Sequence, residues 1–166
     1  VREADVCLVL VDATEPIHVQ DLKVVEQAWE AGAGVILVAN KWDLVDSPQG
    51  VMQDMQARLA DRLPQLRGVP LVTCSALTGR GCDKLMPAVL DVYGRWNARV
   101  PTSALNRWLR DATENHPPPL AAGRRVKLRY ITQVKARPPT FAAFVSRPKA
   151  LADSYRRYLV NGLRKE

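Results

Sequence analysis

The 166-residue sequence predicts an α/β domain, a parallel sheet with flanking helices, followed by a small basic α+β domain. Three observations lead there. Short apolar runs alternate with helical stripes three times in the first ninety-odd residues, as βαβ units do. The charge then changes sign: residues 1–98 hold 9 Lys and Arg against 13 Asp and Glu, a net of −4, whereas residues 99–166 hold 15 against 4, a net of +11. Beyond residue 98 the pattern becomes helix, two strands and helix. Chain length fits one ordinary domain or two small ones, and the charge break divides it as 1–98 and 99–166.

At 47% hydrophobic and 25% charged, the composition excludes a disordered chain or a fibrous repeat. Its longest apolar run, residues 6–11, is far short of the roughly 18 residues a membrane span needs, and no charged-then-apolar leader opens the sequence. The sequence therefore reads as that of a soluble, cytoplasmic protein. Cys7, Cys74 and Cys82 are odd in number and lack a Cys-x-x-Cys spacing, so they suggest neither a disulfide framework nor a zinc site. Cys7 and Cys74 read as small buried hydrophobes and Cys82 as a loop thiol. His18 and His116 have no cluster of partners, which argues against metal binding.

Residues 6–11 are apolar throughout, the composition of a strand buried on both faces. Leu22, Val25 and Trp29 then recur at helical spacing, with Gly32 where a left-handed cap belongs. Residues 35–39 form the second buried strand. Met52, Met55, Leu59 and Leu63 mark one face of a second helix that Pro64 helps to end, and Asp43 or Asp46 is a candidate helix N-cap. Residues 69–74 give the third strand, and Leu85, Val89, Val92 and Trp96 stripe the third helix. In the second part a helix carries Leu105, Trp108, Leu109 and Ala112, with Thr102 and Ser103 as cap candidates, and stops before His116-Pro117-Pro118-Pro119. Two strands, 125–133 and 140–146, follow across a loop with Arg137-Pro138-Pro139. Simple alternation groups Val126, Leu128, Tyr130 and Thr132 on one face and Lys127, Arg129, Ile131 and Gln133 on the other. Leu151, Tyr155, Tyr158 and Leu159 stripe a last helix, in which Gly162 predicts fraying.

In parallel sheets, ligands gather beyond the carboxyl ends of the strands. Asn40-Lys41-Trp42-Asp43 follows the second strand, and Ser75-Ala76-Leu77-Thr78-Gly79 follows the third. These segments resemble the Asn-Lys-x-Asp motif and the Ser-Ala-x loop of the guanine-recognition half of a P-loop GTPase, in the family's order and at its strand ends. The chemistry suits the residue types. Guanine offers adjacent N1 and N2 donors beside its O6 acceptor, and the Asp43 carboxylate can accept both donors. Adenine would leave that carboxylate unpaired, for discrimination on the order of 10⁴-fold. By the resemblance, Asn40 holds the base and braces the loop, the stem of Lys41 lies along the base, Ala76 offers its amide to O6, and Ser75 orients the loop. Asp12, ending the first strand, reads as a loop-bracing carboxylate. Asp91-Val92-Tyr93-Gly94 matches the GTPase Asp-x-x-Gly motif formally but lies within the third helix stripe, so the match reads as coincidence.

No Gly-x-x-x-x-Gly-Lys-Ser/Thr occurs, so no phosphate-cradling loop or magnesium hydroxyl can be placed. In the family, the strand beginning this sequence follows the second switch. The resemblance thus implies an upstream half supplying the phosphate and Mg2+ contacts, with GTP or GDP as ligand and weak nucleotide binding without hydrolysis by these residues alone.

Across the whole length, the sequence resembles the Der (EngA) family, bacterial ribosome-assembly GTPases with two G domains and a KH-like domain. The resemblance rests on Asn40-Lys41-Trp42-Asp43, Thr102 with Leu105-Asn106, Pro117-Pro118-Pro119, Lys127 with Tyr130, Thr132-Gln133, Pro138-Pro139-Thr140-Phe141 with Phe144-Val145, and Ser154-Tyr155 with Arg157-Tyr158-Leu159 and Asn161. It implies that residues 1–98 are the C-terminal half of the second G domain and 99–166 a KH-like domain without its closing strand. It also implies a GTP-hydrolysing switch in large-subunit assembly, with ribosomal RNA and the 50S precursor as partners and contacts between the basic domain and a G domain. The Gly-x-x-Gly clamp of RNA-reading KH folds is absent. RNA contact falls instead to Arg124, Arg125, Lys127, Arg129, Lys135 and Arg137. The alternative is an RNA-binding module independent of nucleotide, with salt-sensitive affinity.

Overall fold

Runs of Val, Leu, Ile and Ala favour pleated backbone that buries both faces. In the computed structural model, which describes residues 4–64, 68–120 and 123–166, they form β1 (Val6–Asp12), β2 (Gly34–Asn40) and a short β3 (Leu71–Thr73). The strands pair in parallel in the order β1-β2-β3. Helices α1 (Val19–Glu30), α2 (Pro48–Arg62) and α3 (Leu85–Trp96) complete the first of two compact units, Val1–Trp96 and Asn97–Glu166.

Central β2 explains its own composition. Val35, Leu37 and Ala39 pack with Val9, Val11, Leu22, Val25, Ala28 and Met55 on one face, while Ile36 and Val38 pack with Val72, Cys74 and Val92 on the other. The expectation that β1 is buried on both faces needs correction: Val9 and Val11 are buried, but Leu8 and Leu10 are 39% and 59% exposed. The physical reason is position, because β1 ends the described sheet and the α3 side of the core is built chiefly on β2 and β3. Gly32 takes the left-handed conformation (φ 87°) and caps α1 through a 2.8 Å bond to the Trp29 carbonyl. Helix α2 starts from Ser47 with Pro48 in its first turn, so neither Asp43 nor Asp46 is its cap. The third strand is shorter than the apolar run that predicts it.

The second unit contains α4 (Thr102–Asn115), an antiparallel hairpin of β4 (Leu128–Lys135) and β5 (Thr140–Val145), and α5 (Asp153–Lys165). Its core joins Leu105, Leu109, Val126, Ile131, Leu151, Tyr155 and Leu159. Pro101 occupies the N-cap position of α4, so Thr102 and Ser103 lie within its first turn rather than capping it. At the other end, Tyr155 donates its hydroxyl to the His116 carbonyl at 2.6 Å, satisfying an acceptor beyond the helix end, and Tyr158 donates to the Ala112 carbonyl at 3.1 Å, which also accepts the His116 N–H at 3.0 Å. His116 stacks on the Tyr155 ring, with planes inclined by 10°, and meets the Tyr158 ring at a 51° tilt.

Two expectations fail here for definable reasons. Alternation along β4 breaks because Leu128 faces Val145 and Tyr130 faces Phe144, which makes Arg129 an extra bulged residue. The bulge shifts parity, so Ile131 is buried at 2% exposure while Tyr130 turns outward at 42%. Gly162 does not end α5; the helix runs to Lys165, and the glycine admits the Trp108 ring, whose Cζ2 would lie 2.9 Å from an added Cβ.

Candidate functional site

The parallel sheet brings the carboxyl ends of its strands side by side, with Asp12 in register with Asn40 and Ala39 with Thr73. Two backbone bonds extend this edge: Ala13 donates to the Asn40 carbonyl and Cys74 to the Ala39 carbonyl, each at 2.9 Å. The loops after β2 and β3 therefore leave from adjacent points. Trp42 N–H donates to the Cys74 carbonyl at 3.1 Å, and the Asn40 side-chain oxygen accepts the Ala76 N–H at 2.9 Å. The half-buried Trp42 ring packs against the core, anchoring the loop from its variable position.

Lys41 has φ 59°, the only non-glycine positive φ among the described residues. A side chain in this region costs roughly 1 kcal/mol or more, so local contacts must hold it there. One contact is visible: the Lys41 ammonium lies 2.5 Å from the Asp12 carboxylate. Asp12 also accepts Thr14 N–H at 3.0 Å and Thr14 hydroxyl at 2.7 Å. Lys41 first, then Thr14, holds the Asp12 carboxyl down at about 2, while Asp12 in turn raises the Lys41 ammonium. Asp43 stands exposed on the single 3-10 turn that follows, Trp42–Leu44.

The loop after β3 is organised around Ser75, a polar residue buried to 1%. Its hydroxyl accepts Thr78 N–H at 3.1 Å, its N–H donates to the Arg80 carbonyl at 2.9 Å, and its carbonyl accepts Gly79 N–H at 2.9 Å. Ala76 remains exposed at the tip. Gly81 closes the turn against β3 at φ 79°, where an added Cβ would meet the Thr73 carbonyl oxygen at 2.4 Å.

The structure thus brings Asn40, Lys41, Ser75 and Ala76 together, with Asp43 on the adjoining turn. Trp42, Thr78 and Gly81 are supporting residues that motif matching passes over. The sequence signal for the last two is the Thr78-Gly79-x-Gly81 spacing, which marks a tight turn. The partner of Asp12 emerges only when parallel pairing sets it beside the β2 loop. Arg124, Arg125, Lys127, Arg129, Lys135 and Arg137 are all exposed, on β4 and its flanking loops. Arg137 Nε donates to the Asn97 side chain at 2.6 Å, and Lys127 N–H to the Ser146 hydroxyl at 3.0 Å. Among the described residues, no three His, Cys, Asp or Glu side chains group as a metal ion would require. No helix among them is long and apolar enough to cross a membrane.

Comparison with known proteins matches residues 1–94 to the elongation factor Tu GTP binding domain family. Residues 99–166 match the KH-domain-like family of EngA bacterial GTPase enzymes, C-terminal. GTPase Der of Parvibaculum lavamentivorans is 56% identical over 164 residues, covering 99% of this chain and 35% of that protein. GTPase Der of Dinoroseobacter shibae is 51% identical over 166 residues, covering 100% and 34%. GTPase Der of Agrobacterium fabrum is 46% identical over 166 residues, covering 100% and 35%. The chain spans about a third of the length of these curated relatives. A crystal structure of an Aquifex aeolicus Era variant bound to GDP·AlF4− aligns at a TM-score of 0.48 with 23% identity, covering 82% of this chain and 48% of that one.

Proposed function

The chain belongs to the Der (EngA) family of bacterial GTPases, and on that footing we propose that residues 1–98 recognise guanine nucleotides and residues 99–166 face RNA, within a GTP-hydrolysing switch of large-subunit ribosome assembly. One observation carries the nucleotide reading: the 2.9 Å bond from Ala76 N–H to the Asn40 side chain, which joins the two base-recognition motifs across 36 residues. Asp43, exposed on its turn, accepts guanine N1–H and N2–H. The Lys41 stem lies along the base, its ammonium positioned by Asp12. The Ala76 amide, already bonded to Asn40, shares or exchanges that acceptor when guanine O6 arrives. Ser75 holds the loop in shape from within.

Phosphate and magnesium chemistry would be supplied by a P-loop, which this sequence does not contain. Leu8 and Leu10, apolar yet exposed, fit a sheet face that further G-domain structure covers. RNA contact is assigned to Arg124, Arg125, Lys127, Arg129, Lys135 and Arg137, and the 50S precursor is the assembly in which that contact is made.

The test is amide NMR of the full chain titrated to high concentrations of GDP, ADP and xanthosine diphosphate. We expect GDP, and not ADP, to shift Ala76 and Thr78, and Asp43→Asn to transfer that response to xanthosine diphosphate. An equal response to ADP, or a GDP response untouched by Asp43→Asn, refutes guanine recognition. A second reading, RNA binding independent of nucleotide, has its own support: residues 117–152 hold eight Lys and Arg and no Asp or Glu. It predicts salt-dependent RNA affinity that GDP does not change.

A further inference from the structure

The outer face of the β4–β5 hairpin carries side chains that neither core packing nor guanine recognition uses. Tyr130 and Phe144, 42% and 56% exposed, face each other there with ring centroids 5.6 Å apart and planes inclined by 57°. The next outward pair is Thr132 with Ala142, small residues that leave the rings standing above the sheet, and Lys135 with Thr140 follows. Arg129 sits exposed in the adjoining bulge. The four acidic residues of 99–166 lie elsewhere: Asp111 and Glu114 on α4, Asp153 on α5, and Glu166 after it.

Resting on the reading of this unit as RNA-directed, we propose that this face is a stacking platform for unpaired bases of single-stranded RNA, with Tyr130 and Phe144 taking the bases and the surrounding cations tracking the phosphates. The chemistry selects that occupant. Exposed π-faces beside exposed positive charge suit a ligand that alternates flat aromatic rings with anions, and base stacking tolerates any sequence. Duplex RNA hides its base faces and would use only the cations. An anionic lipid surface favours apolar side chains that insert, whereas the residues beside these rings are Thr132, Ala142, Lys135 and Thr140. A hairpin without a Gly-x-x-Gly clamp would in this way still hold single strands.

The test uses the full chain, a short fluorescent oligouridylate, the abasic ribose-phosphate chain of equal length and a short RNA duplex, each over a salt series. The double variant Tyr130→Leu/Phe144→Leu keeps apolar bulk and removes the π-faces. We expect it to lose about tenfold per ring for the oligouridylate, with affinity for the abasic chain and the duplex, and the salt dependence, unchanged. If it binds oligouridylate as well as the parent does, the platform is refuted. The RNA-directed reading then stands only if Lys127→Gln/Arg129→Gln weakens all three probes. A parent that binds no RNA at low salt refutes both, and tighter binding to phosphatidylglycerol vesicles than to oligouridylate assigns the face to lipid and overturns the proposal. Should the leucine variant fail to fold, photo-crosslinking of the parent to 5-bromouridine RNA decides: adducts on Tyr130 or Phe144 support stacking, and adducts only elsewhere overturn it.

Discussion

Asn106 offers a sharp test of how the basic unit is held together. From α4 its side-chain amide donates to the Ile131 carbonyl at 2.9 Å and its oxygen accepts the Ile131 N–H at 3.0 Å, so one side chain completes β4 on the edge away from β5. The same amide donates to the Thr102 carbonyl at 2.7 Å. Ile131 is 2% exposed, so Asn106→Ala strands both of its backbone groups where water reaches poorly. At about 1–3 kcal/mol for each buried group left unpaired, the loss should come to about 3 kcal/mol, a large share of a small domain's stability. Asn106→Asp sharpens the prediction. It keeps an acceptor for Ile131 N–H but turns a carboxylate toward two carbonyls, which raises its folded pKa above that of the unfolded chain. Its stability should therefore be highest at low pH, decline as pH rises through the folded pKa, and fall below that of the alanine variant at neutral pH. Urea unfolding measures the loss, and hydrogen exchange at the Ile131 amide localises it. An alanine variant within about 1 kcal/mol of the parent, with Ile131 still protected, would refute the reasoning.

The Asp12–Lys41 pair should be visible by NMR titration: Lys41→Met should return the Asp12 carboxyl from about 2 toward 3.8. Because the folded value is the lowered one, the pair's contribution is complete above pH 3.8 and lost as pH falls toward 2; a parent carboxyl already titrating near 3.8 excludes the pair in solution. Gly162→Ala should destabilise by about 1–2 kcal/mol despite a helix propensity worth about 1 in its favour, because the new methyl meets Trp108; a raised urea midpoint would show that the ring yields. In the Ser75 loop, Gly79→Ala meets nothing within 4 Å at φ 78° and should cost only about 1–2 kcal/mol for the dihedral. Gly81→Ala adds the clash with Thr73 and should cost about 3 kcal/mol or more by urea unfolding.

Much of the fold was legible because its signals are local. β2 announces itself by composition, α1 by its stripe and Gly32, and α4 by its stripe and the prolines that follow. The candidate site was legible as residue types at strand ends, but not as contacts. The bond between Asn40 and Ala76, and the pairing of Asp12 with Lys41, depend on strand register, which no single segment encodes. The missed features have a common cause. Leu8 and Leu10 read as core because an edge strand and a central strand can share a composition. Tyr130 and Ile131 exchanged faces because a bulge changes parity without a compositional mark. Gly162 looked like a helix weakness because the ring above it comes from α4.

The irregularities of β4 also govern which changes in chain length it can absorb. Arg129 and Val134 are the residues in excess of the β5 ladder. Removing either shortens the strand to match its partner and leaves every remaining side chain on its present face. Removing Thr132, between them, reverses the strand on one side of the cut, turning either Ile131 out of the core or Gln133 and its neighbours over. Deletions at the bulges therefore conserve the facing of the side chains that remain, whereas a deletion two or three residues away reverses it.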